Sequence, residues 1–193
     1  MDENLLRRIF WYLNKYLMVP AFRLGLGPLM GNPFTGYIMV LKTTGRKTGR
    51  QRYTPVNYAI LDGKVYCLAG FGKLTHWYRN LQAEPRLELI LPGGALMGAA
   101  EEVADRQERL AVTRQVLKNG GFAGYFFGFS PHSVADEVLY EATKEIPIIR
   151  ISPTGIGSSP ADPGGWSWVL AFGLMLWPIL RWISRRQKKD SRN

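Results

Sequence analysis

Cysteine and histidine are scarce in this chain, which has one cysteine and two histidines in 193 residues. Cys67 therefore has no partner for a disulfide within the chain, and its apolar strand-like surroundings predict a small buried residue and a reducing compartment. With His76 and His132 it gives no metal-ligand spacing, so no metal site is predicted. Walker and nucleophile-elbow sequences are also absent, which excludes the enzyme classes that those motifs define.

Acidic residues are missing from the stretch Lys42 to Arg52, which carries five basic residues. A second basic cluster, Arg181 to Asn193, holds six basic residues and one acid. The formal net charge is +10, so the rest of the chain is close to neutral. A nucleic-acid-binding protein would spread its basic residues along one face with exposed aromatics, so no nucleic-acid partner is predicted.

The first basic stretch belongs to a distinctive segment, Thr43 to Val56, which reads TTGRKTGRQRYTPV. Gly45 and Gly49 permit a positive φ or a close backbone approach, and guanidinium groups bind phosphate oxygens bidentately. Like charges this close repel one another unless an anion is bound. The segment therefore predicts a phosphate cradle between two strands, and a solvated hairpin tip is the alternative.

A second motif, HWYRNL at residues 76–81, follows a glycine-containing loop and precedes Ala83 and Pro85. The two motifs in this order resemble the deazaflavin (F420)-dependent nitroreductase and quinone reductase family over roughly residues 34–153. The resemblance implies an α+β fold that is mainly β: a split β-barrel, FMN-binding-like, with flanking helices. It also implies reduced coenzyme F420 as the cofactor, FMN being the less favoured choice, and leaves a homodimer open.

The resemblance carries family roles to individual positions. The implied activity is hydride transfer from reduced F420 to a quinone or nitroaromatic acceptor, with Tyr125 as a substrate contact that could hydrogen-bond the acceptor or simply pack. The alternatives are a non-catalytic carrier of a fatty acid or other lipid, favoured by a short loop between Ala69 and Trp77, and an FMN-dependent reductase. The implied cofactor residues are Arg46, Lys47, Arg50 and Arg52 for the phosphate and acidic tail, Thr54, Pro55, Val56 and Asn57 against the ring, Ala69, Gly70, Phe71 and Gly72 over it, and Trp77, Tyr78 and Asn80 at its far side.

Periodicity and turn residues predict the organisation of the chain. Residues 1–33 hold an amphipathic helix, expected to end at Pro20, and a connector. Residues 34–153 form the barrel domain, and 154–165 a linker rich in Gly, Ser, Pro and Asp. The predicted strands are 37–43, 52–61, 65–69, 87–91, 96–103 and 146–151, and the predicted helices of the barrel domain are 105–118 and 133–143.

The C-terminal segment, residues 166–193, predicts a membrane anchor. Trp166 to Ile183 is a mostly apolar run that would span about 27 Å as a helix. The basic cluster after it suits anionic headgroups. A spanning helix, an interfacial anchor and a helix docked on the barrel remain alternatives. Because reduced F420 is needed in the cytoplasm, we expect the catalytic domain on the cytoplasmic face of the membrane.

Overall fold

Six antiparallel strands close into a barrel in the order β1-β2-β3-β6-β5-β4. The computed structural model describes residues 8–9, 11–24, 26–31, 36–92, 94–125, 128–157, 173–178 and 181. The predicted mainly-β, α+β barrel is confirmed, and each predicted strand is present. The ends of the first five strands shift by at most two residues, whereas the last strand begins two residues later and ends five residues later than predicted. The strands are β1 Ile38–Thr44, β2 Gln51–Leu61, β3 Lys64–Leu68, β4 Arg86–Leu91, β5 Gly94–Glu102 and β6 Ile148–Ile156.

Alternating side chains of the strands pack on both faces of the barrel wall. In β1, Met39 and Leu41 belong to the interior cluster, whereas Ile38 and Val40 pack outside against Met18 and other residues of the N-terminal helices. This explains why β1 is an almost continuous run of buried residues instead of a half-polar one. The N-terminal helices and the helix Arg106–Asn119 cover the outer surface of the wall, whereas Trp77, Tyr78 and Leu81 of the helix His76–Ala83 pack into the interior cluster.

α-Helices and short helical turns flank the barrel. The helix α4, Arg106–Asn119, begins where Asp105 accepts a hydrogen bond from the Glu108 backbone N–H at 2.8 Å, as an N-cap should. The helix α5, Asp136–Thr143, begins three residues later than predicted, because residues 131–133 form a turn. The α-helices are α1 Val19–Arg23, α2 Gly27–Met30, α3 His76–Ala83, α4 Arg106–Asn119 and α5 Asp136–Thr143; a π-helical turn covers Asn14–Met18, and 3₁₀ turns cover Gly72–Leu74 and Gly121–Tyr125.

The N-terminal helical segment does not end at Pro20, so that prediction is wrong. The π-helical turn Asn14–Met18 precedes the proline, and the Val19 N–H bonds back to the Asn14 carbonyl. Pro20 then lies in the first turn of α1, where its missing N–H costs nothing. The helical path continues to Arg23, and it places Phe22 at 1% exposure against the barrel.

The first half of β2, residues 51–57, has a neighbouring strand on only one side. Residues 51–57 pair with β1, whereas the pairing with β3 begins at Tyr58. Pro55 lies in this singly paired half, where a residue without an N–H is tolerated. The gap beside residues 54–57 leaves room for a pocket.

The strand β6 continues to Ile156, past the predicted barrel boundary at Pro153. Pro153 pairs with Gly98 next to a bulge in β6, where Thr154 has no partner in β5, and the bulge accommodates the proline. Of the predicted anchor, residues 173–178 are helical and exposed, and most of its other residues lie outside the described part of the chain. Among the described residues, no helix has the length and hydropathy needed to cross a membrane.

Cys67 is fully buried in β3, and burial raises the pKa of its thiol to about 12 from an ordinary value of about 9. In the unfolded chain the thiol ionises at the lower pH, so its contribution to stability is complete below pH 9 and is lost between pH 9 and 12. We expect the free energy of unfolding to fall less steeply across this window in Cys67→Ala than in the wild type, as measured by urea titration. Identical slopes in the two proteins would contradict the prediction.

Candidate functional site

The basic segment forms a tight loop between β1 and β2. The Gly45 N–H donates to the Arg50 carbonyl at 2.9 Å, and the Gly49 N–H donates to the Gly45 carbonyl at 2.7 Å. Gly49 has φ +66°, which favours glycine at this position. The four basic side chains of the motif, Arg46, Lys47, Arg50 and Arg52, are all exposed. The loop therefore offers clustered positive charge on a closely turned backbone.

Helix α3 fixes one of these cations. The Asn80 Oδ1 accepts from the Arg46 backbone N–H at 3.3 Å and from its Nη1 at 3.2 Å. The same Nη1 lies 3.5 Å from the His76 carbonyl oxygen. The two sequence motifs, which are about 30 residues apart, thus meet in space at this contact.

A pocket of about 600 Å³ lies beside the singly paired half of β2. One wall comes from the N-terminal helical segment, a second from the C-terminal end of α4 and the following 3₁₀ turn, and a third from the loop after β3. None of the described residues lining it is charged. The lining residues include Leu13, Leu17, Met18, Thr54, Pro55, Val56, Asn57, Phe71, Thr75, Trp77, Leu117, Phe122 and Ala123.

The structure divides the implied cofactor residues into two groups. One group lines the pocket: Thr54, Pro55, Val56, Asn57, Gly70, Phe71 and Trp77. The other lies outside its wall: Arg46, Lys47, Arg50, Arg52, Ala69, Gly72, Tyr78 and Asn80. Because β2 runs from the basic loop straight into the pocket wall, the charged and apolar parts nevertheless form one continuous surface.

Two of the implied residues have clear structural contacts. The Tyr78 hydroxyl donates to Glu102 Oε2 at 2.7 Å; burial, followed by this bond to a carboxylate, raises the pKa of Tyr78 to about 12. Ala69 is fully buried in the barrel core. Tyr125, the suggested substrate contact, ends the 3₁₀ turn with half of its side chain exposed and is not among the lining residues.

Sequence reasoning missed the outer walls of the pocket. Leu13, Leu17 and Met18 come from the N-terminal helical segment, and Val116 and Leu117 from the end of α4. Their helical spacing was visible in the sequence, but spacing alone does not tell which helix packs beside which strand. The glycine at position 36 is a more specific indication that α4 packs beside the start of β1. Gly36 has φ +87°, and an added Cβ would lie 2.6 Å from the Asn119 carbonyl oxygen, so the chain before β1 is in close contact with α4.

The fold and the site together define a six-stranded barrel in which an uncharged pocket lies beside a basic loop. The chain belongs to the F420H(2)-dependent quinone reductase family, whose model matches residues 19–130. Its cofactor is coenzyme F420, and it is an F420-dependent oxidoreductase.

Solved structures give more distant likenesses. An F420-H2 dependent reductase (FDR-A) is 23% identical, with 60% of this chain and 93% of its own chain covered and a TM-score of 0.43. The heme storage protein HutZ of Vibrio cholerae is 13% identical over 73% of this chain and 91% of its own, with a TM-score of 0.44. A FAD-binding protein of Mesorhizobium loti is 18% identical over 64% and 86% of the two chains, with a TM-score of 0.43.

The residues of the site fit the chemistry of coenzyme F420. A planar ring system is accommodated by an uncharged pocket with Trp77, Phe71 and Pro55 in its walls. A phosphate and an acidic tail need cations, and Arg46, Lys47 and their neighbours supply them next to that pocket. The apolar and basic parts of the site thus correspond in kind to the ring and to the phosphate and acidic tail of the cofactor.

Proposed function

We propose that this protein reduces a quinone with F420H2 and does so at a membrane surface. The observation that carries the reductase proposal is the junction of the basic loop with the uncharged pocket along β2. When bound, the cofactor supplies a hydride; a proton completes the reduction of the quinone to the hydroquinone. A quinone is favoured over a nitroaromatic acceptor because it is the substrate class that the name of the family gives.

The chain's own contribution is binding, orientation and the exclusion of water. The basic loop would hold the phosphate and acidic tail, while Pro55, Val56 and Trp77 would confine the ring and the acceptor. No described lining residue is charged, so the proton is assigned to solvent at the pocket mouth. Positioning of this kind can account for a large part of a two-substrate reaction's rate.

Removing two loop cations tests the cofactor site. We expect Arg46→Ala combined with Lys47→Ala to weaken F420 binding about 30-fold, or about 2 kcal/mol, because charge-assisted bonds to phosphate are lost. The measurement is a titration of purified protein with F420 at two salt concentrations. Arg106→Ala with Lys144→Ala removes the same charge from exposed positions elsewhere and should leave the affinity unchanged. Equal weakening in the two double variants would contradict a specific phosphate site.

The membrane part of the proposal is supported by an exposed aromatic face on the N-terminal helical segment, formed by Trp11, Tyr12 and Tyr16. Each of the three is more than half exposed. The Tyr12 and Tyr16 rings stack with centroids 6.0 Å apart, and the Lys15 Nζ lies 4.6 Å from the Trp11 ring centroid. Amphipathic aromatic rings beside cations suit the headgroup region of a bilayer.

The same segment also forms a wall of the pocket. Leu13 and Leu17 line the pocket and are themselves 39% and 50% exposed. Residues 8–31 carry Arg8, Lys15 and Arg23 and no acid, which favours an anionic surface. A bilayer against this face would bring a lipid quinone to the pocket mouth at high local concentration.

Vesicle binding tests the attachment. We expect flotation with phosphatidylglycerol vesicles to exceed that with phosphatidylcholine vesicles, and Trp11→Ala with Tyr16→Ala to reduce it about tenfold, because interfacial aromatic contact is lost. Ile60→Ala with Val138→Ala removes exposed apolar groups elsewhere and serves as the control. Binding that survives in the aromatic variant but disappears on deletion of 166–193 would transfer the attachment to the C-terminal segment.

A further inference from the structure

Asn80 is nearly buried, with 5% of its surface exposed, and lies where helix α3 meets the basic loop. Its Oδ1 accepts both bonds from Arg46, and its Nδ2 donates to Thr43 Oγ1 at 3.4 Å. Thr43, in β1, is fully buried. Asn80 therefore ties the loop to the helix on one side and to the barrel wall on the other.

From this geometry we infer that Asn80 is a positioning residue that orients Arg46 for the cofactor's phosphate. The inference rests on the proposed cofactor site. It replaces the direct cofactor contact that the sequence implied, because Asn80 does not line the pocket and both Oδ1 contacts are made to Arg46. The loop's internal bonds leave the Arg46 peptide to be fixed from outside, and Asn80 does this through the backbone N–H.

The Asn80 side chain is uncharged, and this matters for the positive charge of Arg46. An amide oxygen orients a guanidinium without cancelling its charge, whereas a carboxylate at the same position would form an ion pair and compete with phosphate. Arg46 uses its Nη1 for the contacts with Asn80 and His76, while the side chain as a whole remains exposed. Arg46 is thus held in place with its positive charge available to a ligand.

The test compares Asn80→Ala, Asn80→Asp and the helix control Gln82→Ala, which changes an exposed amide on the same helix. The first readout needs no cofactor: hydrogen exchange at the Arg46 amide. We expect it to accelerate in Asn80→Ala, and to stay slow in Asn80→Asp, which retains an oxygen acceptor, and in Gln82→Ala. Unchanged exchange in Asn80→Ala would overturn the inference whether or not the protein binds F420.

The second readout is F420 affinity in a double-mutant cycle with Arg46→Ala. We expect Asn80→Ala to weaken binding about tenfold in the wild-type background and less than twofold when Arg46 is already alanine. Asn80→Asp should also weaken binding although the amide stays protected, because the carboxylate neutralises Arg46. Additive losses in the cycle, or wild-type affinity in Asn80→Asp, would overturn the positioning role. Absence of F420 binding by the wild type would instead refute the proposed function, and hydrogen exchange would still decide the Asn80–Arg46 link.

Discussion

Replacing Arg109 with alanine is expected to lower the free energy of unfolding by about 3–5 kcal/mol, because several carbonyl groups lose a charged partner at once. The Arg109 guanidinium, half-buried on α4, donates to four backbone oxygens. Nη1 bonds Val103 at 3.1 Å, and Nη2 lies 3.3, 3.1 and 3.1 Å from Thr143, Lys144 and Ile146. Through these bonds Arg109 links the end of β5 to the end of α5 and the start of β6. The measurement is urea unfolding of purified variants.

Two further variants sharpen this prediction. Arg109→Lys should restore only part of the loss, since an ammonium cannot reproduce the fork of donors. Arg106→Ala, on the same helix, removes an exposed cation 4.6 Å from the Tyr140 ring and should cost about 1 kcal/mol or less. A loss of that same small size in Arg109→Ala would show that the four bonds contribute little.

The contrast between Arg109 and the barrel strands shows what the sequence could predict. Strand alternation and turn residues act locally, and they located all six strands. The turn between β2 and β3 is an example, since Asp62 and Gly63 adopt positive φ values of 48° and 72°. The partners of Arg109 lie up to 37 residues away, and no local pattern marks them. Long-range polar contacts become visible only once the topology places their carbonyls together.

Two errors in the sequence interpretation share a physical cause: prolines whose cost was removed by their surroundings. Pro20 looked like a helix stop, but the preceding π-helical turn makes it a first-turn residue. The barrel domain was predicted to end at Pro153, but β6 continues to Ile156 past a bulge opposite Gly98. A proline limits local hydrogen bonding, and a neighbouring irregularity can remove the need for that bond.

The residues of the candidate site also differ in whether local sequence patterns could place them. Residues 54–57 and Trp77 could be placed from motifs, because these motifs fix a loop and a helix start next to one strand. The role of Asn80 could not, because it depends on how α3 meets the basic loop across 34 residues. Leu13 and Leu17 were visible as one apolar face of a helix, and only the packing beside β2 turned that face into a pocket wall.

Gly124→Ala is expected to reduce kcat/KM for the quinone about 100-fold, because a small displacement of a substrate-positioning wall can cost that much. Gly124 lies in the 3₁₀ turn Gly121–Tyr125, where an added Cβ would lie 2.1 Å from the Leu117 carbonyl oxygen and 3.0 Å from its carbon. Both atoms belong to the backbone of α4, so the turn must move, and it carries Phe122 and Ala123 out of the pocket wall.

Steady-state kinetics with a soluble quinone, together with F420 titration, would test this displacement. Gly155→Ala is the matched control, since Gly155 does not line the pocket and an added Cβ there meets no atom within 4 Å. We expect Gly124→Ala to keep most of its F420 affinity, because the basic loop is not part of the wall that moves, and to lose stability by about 1–3 kcal/mol from the clash. Retention of wild-type kcat/KM in Gly124→Ala would mean that the 3₁₀ turn does not position the acceptor.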